Sequence, residues 1–141
     1  MNSEAAKPKI IIICGPTGIG KTTVAIDLAQ QLAGQIIGAD SMQVYKYMDI
    51  GTAKPTAEEQ ARVVHHMVDF VEPDESFDSA RYAAKARAKI IELEQQHITP
   101  FVVGGTGLYI KALLYGLFDA KVTDPEIRDR LKAELDAHGI R

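Results

Sequence analysis

The stretch GPTGIGKT, residues 15–22, directly follows the apolar run KIIIIC. It fits the spacing G-x-x-x-x-G-K-[ST], which constrains the fold more than any other feature of the chain. Such a loop works between a strand that delivers the backbone and a helix whose N-terminus closes on an anion. Its glycines allow the tight turn that aims successive N–H groups at one place. The helix dipole favours negative charge there by roughly 0.3–1 kcal/mol per interaction, and by up to about 2 kcal/mol when partly buried. Lys21 adds a full positive charge, and Thr22 offers a hydroxyl suited to Mg²⁺. The stretch therefore predicts a phosphate site built from Gly15, Pro16, Thr17, Gly18, Ile19, Gly20, Lys21 and Thr22. It names neither the phosphorylated molecule nor the bond that breaks.

Around this loop the chain alternates between strand and helix signals. Residues 9–14 read as a buried strand, bounded by Pro8 and Gly15. From about residue 20 to 33, Val24, Ala25, Leu28, Ala29 and Leu32 recur at helical spacing, and Gly34 supplies a stop. QIIGAD is a second strand ending at Asp40, and HHMVDFV a short third. Residues 79–96 read as a helix with Ala83, Ala86, Ile90 and Leu93 on one side. TPFVVGG is a further strand, TGLYIKALLYGL a helix, and Asp124 with Pro125 an N-cap and first turn of a last helix. This order implies an α/β fold with a parallel sheet covered on both faces. Only three or four strands are legible, so the sheet looks incomplete in this chain.

Composition narrows the classes. The chain has 141 residues, enough for one modest domain. A net charge of −3 gives no overall positive field for nucleic acid. No apolar run approaches the roughly twenty residues of a membrane span, and MNSEAAKPK lacks a signal-peptide core. A cytoplasmic protein is expected, with residues 1–8 a disordered tail and 9–141 a single core domain. The lone Cys14 reads as a small core residue. His65 and His66 are adjacent, point to opposite faces of a strand and make a poor metal pair. Tyr45, Tyr47 and Met48 read as packing residues, Tyr109 as a helix anchor, and Arg62, Arg81 and Arg87 as a solvated face.

A hydrolase or switch needs a strand-end aspartate for its metal. PFVVGG ends in glycines, whereas QIIGAD ends in Asp40 and runs on as DSMQVYKYMDIGTAKP. That block sets acids, hydroxyls and an amide at the edge of the sheet where ligands of open α/β folds bind. Asp40 reads equally as a substrate-facing carboxylate, a metal ligand or a loop cap.

Together GPTGIGKT, GADSMQVYKYMDIGTAKP, HHMVDFVEPDESFDSARY and VVGGTGLYIKALLYGL closely resemble the tRNA isopentenyltransferase family, across nearly all of the chain from Lys9 onward. The resemblance implies a P-loop NTPase-like core. It implies transfer of a prenyl group from dimethylallyl diphosphate to the exocyclic amine of the adenosine beside the anticodon, with Mg²⁺ as cofactor. On this likeness Asp40 is the general base, Lys21 holds the leaving diphosphate, and Thr106 lies near the reacting centre. Asp40, Ser41, Met42, Gln43, Thr106 and Arg128 contact the tRNA anticodon stem-loop, and Thr22 serves the magnesium. Where family members often carry serine, this chain has Ile19. Two other readings remain: an adenylate-type isopentenyltransferase, and a P-loop small-molecule kinase. The latter needs an arginine-rich lid, which the sequence does not show; a nucleotide switch needs a metal-binding aspartate at the end of a second strand, and switch loops. Members of the family are about twice this long, so the resemblance also predicts a truncated piece with weak RNA binding and little activity. The oligomeric state is not legible.

Overall fold

The computed structural model describes residues 9–117 and 125–139. The elements run β1 (Ile11–Cys14), α1 (Lys21–Gln31), β2 (Gly34–Gly38), α2 (Ala57–Arg62), β3 (His65–His66), α3 (Ser79–Gln95), β4 (Thr99–Gly104), α4 (Gly107–Tyr115) and α5 (Pro125–His138). The strands form one sheet in the order β1-β4-β2-β3. Every pairing is parallel, with Ile12 opposite Val102 and Ile37 also opposite Val102.

Alternation along the strands divides the core into two layers. Ile36, Phe101 and Val103 face α1, where Ala25, Ile26 and Ala29 pack on them. Ile37 and Val102 face the other way, towards Tyr82, Ala86, Ile90 and Leu93 of α3 and Tyr109, Ile110 and Leu113 of α4. Fully burying a side chain such as Phe101 contributes about 1.5–3 kcal/mol. Tyr109 does anchor its helix: its ring stacks on Tyr82 with centroids 4.3 Å apart, and its hydroxyl donates to Phe77 O.

Several expectations change. On α1 the buried face is Ala25, Ile26 and Ala29, while Val24, Leu28 and Leu32 are exposed. The helix lies close to the sheet, and small residues permit that approach. Cys14 is exposed, because β1 is an edge of the four-stranded sheet. Gly34 is not the helix stop: Ala33 takes the left-handed turn at φ 47. Gly34 instead makes room for Phe101, whose ring would lie 2.4 Å from an added Cβ. The short α2 carries a signal that was present in the sequence, a capping box in which Thr56 and Glu59 each bond the other's backbone N–H. Tyr45 and Met48 are partly buried, but Tyr47 is exposed to 77%. The arginines are engaged: Arg62 with Asp27 and Gln30, Arg81 with Glu75 and the Phe77 ring, and Arg87 with the carbonyls of Ala112 and Leu113. Asp124 and residues 1–8 lie outside the described residues.

At the end of the sheet β4 passes unusually close to β2. A Cβ on Gly104 would sit 2.1 Å from Ala39 O, a backbone atom that cannot swing aside. Gly104→Ala is therefore expected to cost at least about 2 kcal/mol in urea denaturation, since overpacking here must move the backbone that leads into Asp40.

Candidate active site

Between β1 and α1, Gly15, Gly18 and Gly20 take φ values of 155°, 84° and 87°. These are conformations that glycine adopts without strain. Gly20 is the N-cap and brings no side chain to the helix end. The first N–H groups of α1 have no intrahelical acceptor and stay available to an anion. Lys21 is half-buried, and its ammonium donates to Pro16 O at 2.5 Å. The sequence motif has thus folded into a glycine turn at a helix N-terminus, with its cation folded against it.

The opposite wall grows from β2. Ala39 N donates to Val103 O at 2.8 Å, which ties the strand end to β4. Asp40 follows, and its Oδ1 accepts from Met42 N at 2.8 Å and Gln43 N at 3.2 Å. This is the side-chain-capped turn that aspartate favours. The loop-cap role occupies Oδ1 and leaves Oδ2 outside those two bonds. Ser41 N donates to Thr106 Oγ1 at 2.9 Å, while Thr106 N donates to Ala39 O at 3.0 Å. Thr106 is the N-cap of α4, yet its hydroxyl makes no cap bond to its own helix. It is spent instead on the Asp40 turn. Gln43 Nε2 donates to Thr52 O at 3.0 Å and Ala53 O at 2.8 Å, leaving Oε1 as its remaining acceptor.

A cleft of about 280 Å³ lies between the two walls. Thr17, Gly18, Gly20, Lys21 and Thr22 line one side, and Asp40 and Gln43 the other. Ile36, Val68, Val103 and Pro55 add apolar lining. Gly15, Pro16, Ile19, Ser41, Met42 and Thr106 adjoin these residues in the chain or by hydrogen bonds without lining the cleft. Arg128 is exposed on α5 and lines a separate groove with Leu131 and Leu135.

Three further ionisable residues line the cleft: Lys54, Glu59 and His65. Lys54 sits within the block that carries Asp40, and its partners are Asp49 of that block and the distant Asp69, whose pairing with it the sequence did not show. The two histidines diverge as their adjacency requires. His66 Nε2 meets Gln35 Oε1 at 2.7 Å, whereas His65 Nδ1 meets Val63 O at 2.8 Å. His65 Nε2 is buried without a hydrogen-bond partner among the described residues. Burial first, with Lys89 adding to it at His66, holds both imidazoles below their ordinary pKa of 6.5. Both therefore take up protons less readily in the folded state than in the unfolded chain. The stability they contribute is full above pH 6.5 and is lost as pH falls below it. His65→Gln is expected to lose less stability than the parent between pH 7.5 and 5.5 in urea denaturation.

The chain matches known families and structures. A family model described as "IPP transferase" matches residues 43–141, and one described as "Isopentenyl transferase" matches residues 8–71. This chain belongs to the IPP transferase family. It is 56% identical to a tRNA dimethylallyltransferase of Desulfosudis oleivorans, over 94% of this chain and 42% of that protein. It is 50% identical to one from Anaeromyxobacter dehalogenans, over 93% of this chain and 44% of that protein. The crystal structure of the full-length tRNA isopentenylpyrophosphate transferase of Bacillus halodurans superposes with a TM-score of 0.78 at 43% identity, covering 94% of this chain and 44% of that one. A eukaryotic dimethylallyltransferase, captured in crystallographic snapshots acting on tRNA, superposes with a TM-score of 0.76 at 32% identity, covering 92% and 37% respectively. This IPP transferase chain thus spans less than half the length of the relatives it matches. Its parallel sheet flanked by helices is the α/β, P-loop NTPase-like architecture expected from the loop. No helix among the described residues is long and apolar enough to cross a membrane.

Proposed function

We propose that the cleft binds dimethylallyl diphosphate and delivers its five-carbon group to the exocyclic amine of an adenosine beside the anticodon of a tRNA. One observation carries this reading: Asp40 lines the same cleft as Thr17, Gly18, Gly20, Lys21 and Thr22 of the glycine turn. The names of the relatives supply the substrate class.

The chemistry follows from the walls. The diphosphate sits on the loop N–H groups, with Lys21 turning from Pro16 O to its oxygens. The scissile bond joins the allylic carbon to a diphosphate oxygen. It breaks as the amine nitrogen bonds that carbon, and diphosphate leaves with its charge held by the loop. The amine is a weak nucleophile, because its lone pair is delocalised into the purine. Asp40 Oδ2 takes its proton, while Oδ1 stays on the turn. Gln43 Oε1 is free to accept from the same amine, its amide hydrogens being committed to Thr52 and Ala53. The adenine must first leave its stack, at a cost of about a few kcal/mol. Ser41, Met42 and Thr106 hold the turn against α4, and Arg128 offers a charge to RNA phosphate from α5.

The donor set fits Mg²⁺, a hard cation that favours a few protein oxygens together with substrate phosphates and water. Thr22, whose hydroxyl is the protein donor, lines the cleft that would hold the diphosphate. A bound Mg²⁺ would neutralise charge on the leaving diphosphate. On this reading residues 9–141 are the N-terminal part of a longer architecture, working in the cytoplasm.

Calorimetry on the 141-residue chain with Mg²⁺ tests the substrate class. The expected result is dimethylallyl diphosphate bound at least about tenfold more tightly than ATP, a difference of about 1.4 kcal/mol. The reverse preference points to a small-molecule kinase.

A further inference from the structure

The segment that carries Asp40 and Gln43 has almost no regular structure. From residue 39 to 56 it contains no helix or strand, only an isolated bridge between Tyr45 and Val71. Its backbone, and the strap it packs on, is unusual. Tyr47, Ala53, Met67 and Asp69 all take left-handed φ values, at 63°, 49°, 65° and 52°. Non-glycine residues hold such conformations only where their surroundings over-determine them. The question is what does so here.

Lys54 answers it. Its side chain is only 7% exposed. Its ammonium donates to Asp49 Oδ1 at 2.8 Å, to Tyr45 O at 2.7 Å and to Asp69 Oδ1. An ammonium has three donors, and all three are used. Burial works against the charge, and the hydrogen bonds it donates to Asp49 and Asp69 outweigh that, so its pKa stands above the ordinary lysine value. The three acceptors come from the start and middle of the segment and from the strap beyond β3. Asp69 N in turn donates to Gln43 O at 3.1 Å, and Gln43 Nε2 grips Ala53 O, next to Lys54. The contacts close a ring that runs Gln43–Ala53–Lys54–Asp69–Gln43. Asp40 Oδ1 is bonded to the first member of that ring. Lys54 also borders the cleft, but its committed hydrogens leave none for a phosphate.

We propose that Lys54 is a positioning residue: it clamps the segment of residues 40–55 so that Asp40 and Gln43 keep their places opposite the phosphate loop. Its kinetic consequence rests on the transfer reaction proposed above; its structural consequence does not. Without the ammonium, the Asp49 and Asp69 carboxylates and the Tyr45 carbonyl lose the cation that joins them. The left-handed turns are then left to the neutral Gln43–Ala53 and Asp69–Gln43 hydrogen bonds, which are weaker than charge-assisted ones.

The test compares the parent with Lys54→Met, Lys54→Arg and Asp69→Asn in the full-length protein. Asparagine suits the left-handed backbone of residue 69 and removes only the charge, so that variant keeps the fold. Hydrogen exchange in residues 41–53 is expected to quicken at least about tenfold in Lys54→Met, with the amides of α3 and β4 unchanged. The single-turnover rate of prenyl transfer is expected to fall about 10²-fold in Lys54→Met, the size of effect a slight misplacement produces. Pyrophosphate affinity should stay within about twofold, since the anion turn is a separate wall. Asp69→Asn should show the same split more weakly, and Lys54→Arg should recover part of the rate. A rate within about threefold of the parent, or a loss of pyrophosphate affinity in step with the rate, overturns the clamp. If the parent itself transfers no prenyl group, the proposed reaction fails. Hydrogen exchange then decides the clamp alone, and unchanged exchange in residues 41–53 overturns it.

Discussion

Asp40→Asn is expected to lower the single-turnover rate of prenyl transfer by about 10²–10⁴-fold while leaving binding of dimethylallyl diphosphate within about twofold. The reasoning begins at the turn. Asp40 Oδ1 accepts from Met42 N and Gln43 N, and the oxygen of an asparagine amide accepts the same two bonds. The turn, the Thr106 link to Ser41 and the wall of the cleft all survive. The lost element is Oδ2, replaced by an NH₂ that cannot take a proton. A base held within hydrogen-bond reach of the reacting proton supplies the stated factor, so its loss appears in the chemical step and not in binding. Rapid-quench kinetics with excess enzyme measures that step. A loss below about threefold would return Asp40 to the role of loop cap that its Oδ1 already fills.

Lys21→Ala has the opposite signature. It is expected to weaken pyrophosphate binding by about 10–100-fold, the equivalent of a charged hydrogen bond worth roughly 1.5–3 kcal/mol. In the structure the ammonium rests on Pro16 O, a contact it exchanges for a phosphate oxygen. The loop glycines and the N-terminus of α1 remain, so some affinity persists. Calorimetry with pyrophosphate checks the prediction, and unchanged affinity would remove the lysine from the anion site.

Lys21 was legible as a loop cation because its pattern is local, whereas Asp40 read equally as a substrate-facing carboxylate, a metal ligand or a loop cap. The phosphate loop is a contiguous pattern, and helix geometry dictates what its glycines and lysine do. Three strands were legible as apolar runs between breakers, whereas of the run HHMVDFV only His65–His66 forms a strand. What escaped was decided by distant neighbours. Val24, Leu28 and Leu32 share helical spacing with Ala25 and Ala29, and only the close seat of α1 on the sheet decides that the alanines go inward. Cys14 ends an apolar run like any core residue, yet the strand order leaves β1 at an edge. Gly34 looked like a helix stop, but its lack of a Cβ serves Phe101, far along the chain. Lys54 was visible as a letter in a recognisable block. Its meaning lies in Asp69, brought to it by the chain passing through α2 and β3. Gln43 was expected to contact the tRNA, and the fold has already committed its amide nitrogen.

The central claim is that one cleft joins a prenyl diphosphate to a tRNA adenosine, with Asp40 as the base. The most direct measurement incubates the full-length protein with labelled dimethylallyl diphosphate, Mg²⁺ and an anticodon stem-loop, and maps the label by mass spectrometry. The account predicts label on the exocyclic amine of the adenosine beside the anticodon, abolished by Asp40→Asn, with free adenylate left unlabelled. Label on free adenylate alone, or ATP consumed with no label in RNA, would contradict it.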